Sequence, residues 1–162
     1  MLILFRATTY ASLFIGFLLI YLPARMLAWA GVTPPATVGA GQIAGMVVGA
    51  AGAALALWCI FTFAWTGRGT PAPWDPPQRL VTSGPYRFVR NPMYIGAGFA
   101  LGGAALYYHS WLLLAYMAFF RLPVHLFVIG YEEVALRQTF RDEYSAYCNR
   151  AGRWWPRIHL PK

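Results

Sequence analysis

Ile43–Trp65 reads IAGMVVGAAGAALALWCIFTFAW and contains no charged residue. A helix that crosses the hydrocarbon core needs about 20 mostly apolar residues, and this run supplies them. The rest of the chain has the same character. Of its 162 residues 59% are apolar and 11% charged, against roughly 45–50% and about 25% in soluble domains. Such a chain cannot cover itself with polar groups, so lipid is its better solvent. Disorder is excluded, because a disordered segment needs low hydrophobicity. Three further stretches approach span length: Ala7–Leu22, with Leu2–Phe5 and Arg6 beside it; Pro92–Tyr108, short and glycine-rich; and Trp111–Tyr131, which holds Arg121, Pro123 and His125. Only His109-Ser110 separates the last two, which predicts a tight helical hairpin. Arg6, the apolar run and Ala28-Trp29-Ala30 also resemble a signal peptide with its cleavage site; we read a retained helix. The expected fold is all-α, a polytopic membrane helical bundle of about four transmembrane helices plus a C-terminal amphipathic helix, with residues 1–162 as one domain.

The net charge of +8 sits beside the spans. Arg68, Arg79, Arg87 and Arg90 lie in one loop, and Arg137, Arg141, Arg150, Arg153, Arg157 and Lys162 in the tail, whereas the first loop holds Arg25 alone. Basic loops stay cytoplasmic, so both termini are expected there, in a plasma or inner membrane. Charges in this position attract anionic headgroups. No base-stacking motif or recognition helix accompanies them, and nucleic acid is not an expected partner. Two cysteines, Cys59 and Cys148, are too few for a disulfide framework. Metal-ligand spacing is absent, so no metal is expected, and no obligate protein partner is evident.

Gly41, Gly45, Gly49 and Ala53 recur every four residues, as do Gly98 and Gly102. Small residues at this spacing let helix backbones approach in lipid. The proline- and glycine-dense segment Thr66–Asn91 is not a regular helix, but Trp74, Leu80, Val81, Tyr86 and Phe88 argue that it packs. Beyond Tyr131, Leu136, Phe140, Tyr144 and Tyr147 share one helical face. This amphipathic helix either lies on the membrane surface or continues the fourth span.

Ionisable residues within spans are costly and point to function. Arg121, His125 and Glu132 fall within about 40° of each other on an uninterrupted helix. Either a structural network or a substrate site accounts for them. Glu132 has no local partner, so its carboxylate could bind a ligand ammonium, whereas Glu133 and Arg137 form an i,i+4 pair. Ser83–Gly98 reads SGPYRFVRNPMYIGAG. Pro92 suits a first helical turn with Asn91 as its cap. A free helix N-terminus attracts anionic groups, and here it gathers Tyr86, Arg90, Asn91 and Tyr94.

RNPMYIG at Arg90–Gly96 resembles the RHPxYxG signature of the isoprenylcysteine carboxyl methyltransferases and phospholipid methyltransferases. Glu132-Glu133-Val134-Ala135-Leu136, then Phe140, Glu143-Tyr144, Tyr147, Arg150 and Arg153-Trp154 resemble the same family's EExxL…F…EYxxYxxR…RW pattern. The resemblance spans about Gly67 to Arg157. It implies an integral membrane methyltransferase that uses S-adenosylmethionine. It implies that Tyr86, Asn91, Pro92, Tyr94, Gly96, Gly98, Glu132 and Glu133 border the cofactor. It further implies that Arg90 and Arg150 serve the reaction centre and acceptor binding; Glu133 is a further catalytic candidate, and Arg121 and His125, from their place within a span, are candidates for contact with a lipophilic or lipid acceptor. An isoprenylcysteine-type carboxylate is the first reading and a phospholipid amine the alternative. Asn91 replaces the signature His, Arg141 stands where the family usually has Gly, and Ala151-Gly152 replaces Val-Pro. A membrane reductase that uses NADPH and a non-catalytic helical protein are the remaining rivals.

Overall fold

The computed structural model describes residues 16–67 and 79–157, and every regular element among them is helical. Arg6, Arg68, Trp74, Lys162 and the part of the first apolar stretch before Gly16 lie outside these residues. A π-helical turn, Gly16–Tyr21, leads into α1, Leu22–Trp29. This helix runs past the expected end at Leu22, and its Leu27 packs with Ala105 and Leu113.

Helix α2 is Ala40–Thr62, extended by a π-helical turn Phe63–Gly67. It begins before the apolar run because Gln42 closes its first turn, accepting from the Gly39 amide at 2.9 Å. Helix α3 is Pro92–Tyr108 and α4 is Trp111–Phe127. The two residues between them make the expected hairpin. His109 takes a left-handed conformation (φ 49°), and Ser110 Oγ caps α4 by accepting from the Leu113 amide at 3.4 Å. Helix α4 continues through Pro123 into a π-helical turn, Val128–Glu132, and then α5, Glu133–Arg150. The amphipathic segment is therefore a direct continuation of α4. Its apolar face packs on protein, since Leu80, Tyr144, Tyr147 and Ala151 form one cluster flanked by Leu136 and Phe140.

Among the described residues two helices are long and apolar enough to cross a membrane, Ala40–Gly67 and Trp111–Arg150. Both keep most of that apolar surface outside the protein: Val47 is 63% exposed, Phe61 69% and Phe119 72%. A surface of this kind marks contact with a membrane or a protein rather than water. At 17 residues, α3 is about 25 Å long. Trp29 and Trp111 are exposed at one end of the bundle and Trp65 and Trp155 at the other, the arrangement of interfacial aromatic belts.

The principal packing is α2 against α3, antiparallel. Its seam is not the expected four-residue stripe. Gly45 meets Gly103 and Tyr107, Gly49 meets Gly103, Gly52 meets Gly96 and Ala100, and Ala56 meets Gly96. The contacts on α2 thus step by four, three and four, and Ala53 is left exposed. A seven-residue repeat keeps a seam facing its partner where a strict four-residue step drifts off it.

Arg141 lies within α5 at φ 38°, ψ −110°. Glycine reaches positive φ without penalty and other residues do not. This is the position at which the resembling family carries Gly. We predict that Arg141→Gly raises stability by about 1 kcal/mol, read as a higher melting temperature in detergent. An unchanged or lower value would show the strain is absent.

Candidate active site

The site forms where the N-terminus of α3, the α4–α5 junction and the tail Ala151–Trp154 meet. The segment before α3 contains a short 3-10 helix, Gly84–Arg87, and is pinned by its backbone. The Arg90 amide donates to the Gly152 carbonyl at 2.8 Å, and Val89 and Gly152 form an isolated parallel bridge. Asn91 Nδ2 donates to the Arg153 carbonyl at 3.2 Å. Asn91 therefore does not cap α3 with its side chain; it ties the tail to the helix start.

Glu133 is 5% exposed and accepts a bidentate pair from Arg153, Nε to Oε1 at 2.5 Å and Nη2 to Oε2 at 2.9 Å. Arg90 Nη1 lies 3.3 Å from the same Oε1. It also donates to Cys148 Sγ at 2.8 Å and to the Tyr144 hydroxyl at 3.3 Å. A buried carboxylate needs such compensation, and the expected Glu133–Arg137 surface pair gives way to it. The bonds to Glu133 raise the Arg153 pKa above its ordinary value. Arg90 Nε is buried with no hydrogen-bond partner among the described residues.

Glu132 is placed differently. It accepts from the Tyr94 hydroxyl at 3.3 Å and has no cationic partner among the described residues. Gly98 lies one turn beyond Tyr94 on the same face of α3. A Cβ there would find nothing within 4 Å, so this face is open.

Trp154 joins the remaining groups. Its Nε1 donates to His125 Nδ1 at 3.1 Å, the Arg121 guanidinium lies 4.1 Å from the ring centroid, and the Tyr94 ring meets it edge-on at 6.4 Å. Arg121 and His125 thus connect to Glu132 through Trp154 and Tyr94. A uniform helix face does not connect them, because the π-helical turn at Val128–Glu132 shifts the register.

A family model for phospholipid methyltransferases matches residues 40–143. The chain belongs to that family. No curated protein and no solved structure matches the chain. The matched region includes α2, which the motif resemblance did not reach, together with the RNPMYIG junction and the Glu132-Glu133 pair. For a phospholipid methyltransferase family member, methyl transfer at a membrane is the activity.

Two expected site residues, Gly96 and Arg150, sit elsewhere, and a third, Tyr86, lies near Glu132 and Tyr94 but is buried. Gly96 packs against α2, where a Cβ would lie 2.7 Å from the Gly52 carbonyl oxygen, so its role is helix approach. Arg150 is exposed at the end of α5, and Arg153, three residues on, occupies the cluster instead. The Tyr86 ring is buried with Cys59 and Val81, and its carbonyl accepts from the Tyr147 hydroxyl at 2.6 Å. Burial, with Cys59 and Glu132 nearby, pushes its phenol well above the ordinary range. Pro92 fills the buried first turn of α3. Arg153 and Trp154 were visible only as motif letters. The signal for them was the RW pair itself, since their contacts reach back 20 and 29 residues, beyond any helical periodicity.

Proposed function

We propose that this membrane methyltransferase moves a methyl group from S-adenosylmethionine to a lipophilic carboxylate, in the manner of the isoprenylcysteine carboxyl methyltransferases. The observation that carries the reading is Glu132, a carboxylate without a cationic partner beside the open face of Tyr94 and Gly98. The residues present fit the cofactor. Its amino-acid end is zwitterionic, and Glu132 would take the ammonium while the unpartnered Arg90 Nε takes the carboxylate. Glu133, already paired with two arginines, would position these groups without touching the cofactor. Tyr94 and Asn91 would border it at the start of α3.

When bound, S-adenosylmethionine supplies a methyl group on a sulfonium. Holding donor and acceptor in line provides much of the rate in such a displacement, and the clamp of Arg90, Glu133 and Arg153 fixes the three segments that do so. A carboxylate acceptor arrives already charged and needs no base. An amine acceptor must first lose a proton. Among the described residues Glu132 and Glu133 are the carboxylates in this cluster, and Asp142 and Glu143 are exposed further along α5. With Glu133 in ion pairs and Glu132 on the cofactor, no carboxylate of this cluster is left to act as base among the described residues. This favours the carboxylate over the phospholipid amine that the family description suggests. The cofactor would enter from the cytoplasm, the side expected for the basic segments at this end of the bundle.

Calorimetry of the detergent-purified protein tests the site. S-adenosylmethionine and S-adenosylhomocysteine bind saturably, and NADPH does not. Glu132→Gln weakens both by about ten- to a hundredfold, the loss of one charge-assisted contact, and Tyr94→Phe weakens them less. Normal binding by both variants would remove these residues from the site, and binding of NADPH alone would replace the reaction.

A further inference from the structure

The tail is held on two sides. Gly152 and Arg153 are tied through their carbonyls to the start of α3, and the Trp154 indole is held by α4. Trp155, the next residue, is 81% exposed. Arg121 and His125 lie one helical turn apart on the face of α4 that also carries buried Val124 and Val128. That face is turned to protein. The two contacts restrain different motions of one ring. The indole N–H lies in the ring plane, so its bond to His125 Nδ1 at 3.1 Å limits rotation within the plane. The Arg121 guanidinium, 4.1 Å from the ring centroid, covers a face and limits tilt. An indole N–H can only donate, so the His125 that receives it is a neutral imidazole with its proton on Nε2. Arg121 has no carboxylate partner among the described residues. A cation over Trp is the strongest pairing of its kind, and it offsets part of the cost of a charge within a span.

We propose that Arg121 and His125 are positioning residues for methyl transfer: through Trp154 they aim the Tyr94 hydroxyl at Glu132 and so set the affinity for the methyl donor. The proposal rests on the methyltransferase reading above and gives these two residues a part in its cofactor site. The contacts close a circuit. Trp154 meets the Tyr94 ring at 62°, centroids 6.4 Å apart, and the Tyr94 hydroxyl donates to Glu132 Oε2 at 3.3 Å. Glu132 follows His125 along one continuous helical stretch, across the π-helical turn Val128–Glu132. Tyr94 is therefore gripped at both ends, by an indole fixed on α4 and by a carboxylate at the end of the same stretch. Release of the indole frees the ring, and the hydroxyl loses its aim. The Glu133 ion pairs still hold Arg153 in place, so the tail stays docked when the indole is released.

The test is calorimetry with S-adenosylhomocysteine on the full-length protein in detergent. His125→Leu and Arg121→Met weaken binding about three- to tenfold, the scale of one hydrogen bond. His125→Gln keeps an acceptor for the indole N–H and binds as the wild type does. Arg121→Lys, a cation without the planar face, falls between. In a Tyr94→Phe background His125→Leu and Arg121→Met cause no further loss, because the hydroxyl they aim is gone. A residue that only supported the fold would add its loss to that of Tyr94→Phe. Trp154→Phe, which loses the N–H and keeps a ring, repeats the test where a truncation fails to fold. A second readout needs no cofactor. In protein carrying 3-fluorotyrosine, the fluorine resonance missing from Tyr94→Phe is that of Tyr94; it moves in His125→Leu and Arg121→Met and stays in His125→Gln. Wild-type affinity in both truncations overturns the proposal, as do losses that add to Tyr94→Phe. Failure of the wild type to bind S-adenosylhomocysteine overturns the cofactor site instead, and the link from Arg121 and His125 to Tyr94 then stands if the resonance moves and falls if it does not.

Discussion

Glu133→Ala lowers the stability of the protein by about 3–5 kcal/mol, the cost of leaving buried charges without their partner. Arg90 is nine-tenths buried and Arg153 about two-thirds buried, and both depend on this one carboxylate. The loss is not confined to a single pair. Glu133 stands at the start of α5, Arg90 precedes α3, and Arg153 lies in the tail, so its removal unlinks three segments. Glu133→Gln keeps the shape and one acceptor oxygen and loses less. The Arg90→Met, Glu133→Met double variant removes charge together with countercharge and recovers part of the loss, since apolar groups of similar volume often replace a buried pair at little cost. Melting in detergent checks all three. If Glu133→Ala melts with the wild type, the clamp does not hold the fold together.

Gly103→Val separates α2 from α3 and costs about 3 kcal/mol, the upper end for inserting methyl groups into a packed interior. A Cβ on Gly103 would collide with the Gly49 backbone nitrogen, and its next neighbours are Gly49 Cα and the Gly45 carbonyl oxygen, at 2.5 and 2.6 Å. Backbone cannot rotate out of the way as a side chain can, so the helices must move apart. Close approach is itself what favours association in lipid, where apolar burial gives no gain. Gly98→Val is the control on the same helix, because a Cβ at Gly98 meets nothing within 4 Å. Its stability is unchanged, while the proposed cofactor subsite beside Tyr94 is narrowed and S-adenosylhomocysteine binding falls. Equal melting of the two valine variants would show that the seam is not tight.

Much of this molecule is legible in its sequence because lipid is a simple solvent. An uninterrupted apolar run announces a helix whatever surrounds it, and Pro92 and Ser110 mark helix starts through backbone chemistry that needs no partner. The bounds of α3 follow from the residues alone. The tight hairpin follows from the two residues left between helices. Glycine content likewise announces close packing. Its register was not legible: a four-residue step reads equally well through Ala53 or through Gly52 and Ala56, and only the partner helix selects between them.

The candidate site divides along the same line. The motifs pointed to Arg90, Asn91, Tyr94, Glu132 and Glu133, and these residues do converge. Their division of labour came from tertiary contacts. Two adjacent glutamates are equivalent as letters, yet one is closed in an ion-pair clamp and the other has only a tyrosine hydroxyl. The π-helical turn that ends at Glu132 shifts the register on which a helical projection relies. Arg153 and Trp154 return to the bundle from beyond the last helix, through bonds that no local period encodes. Helix existence and lipid exposure are set by residues acting on their own backbone and solvent, so the sequence by itself determined them. Which glutamate is free and which glycines touch depend on distances between segments far apart in the chain, and only the tertiary structure decided those.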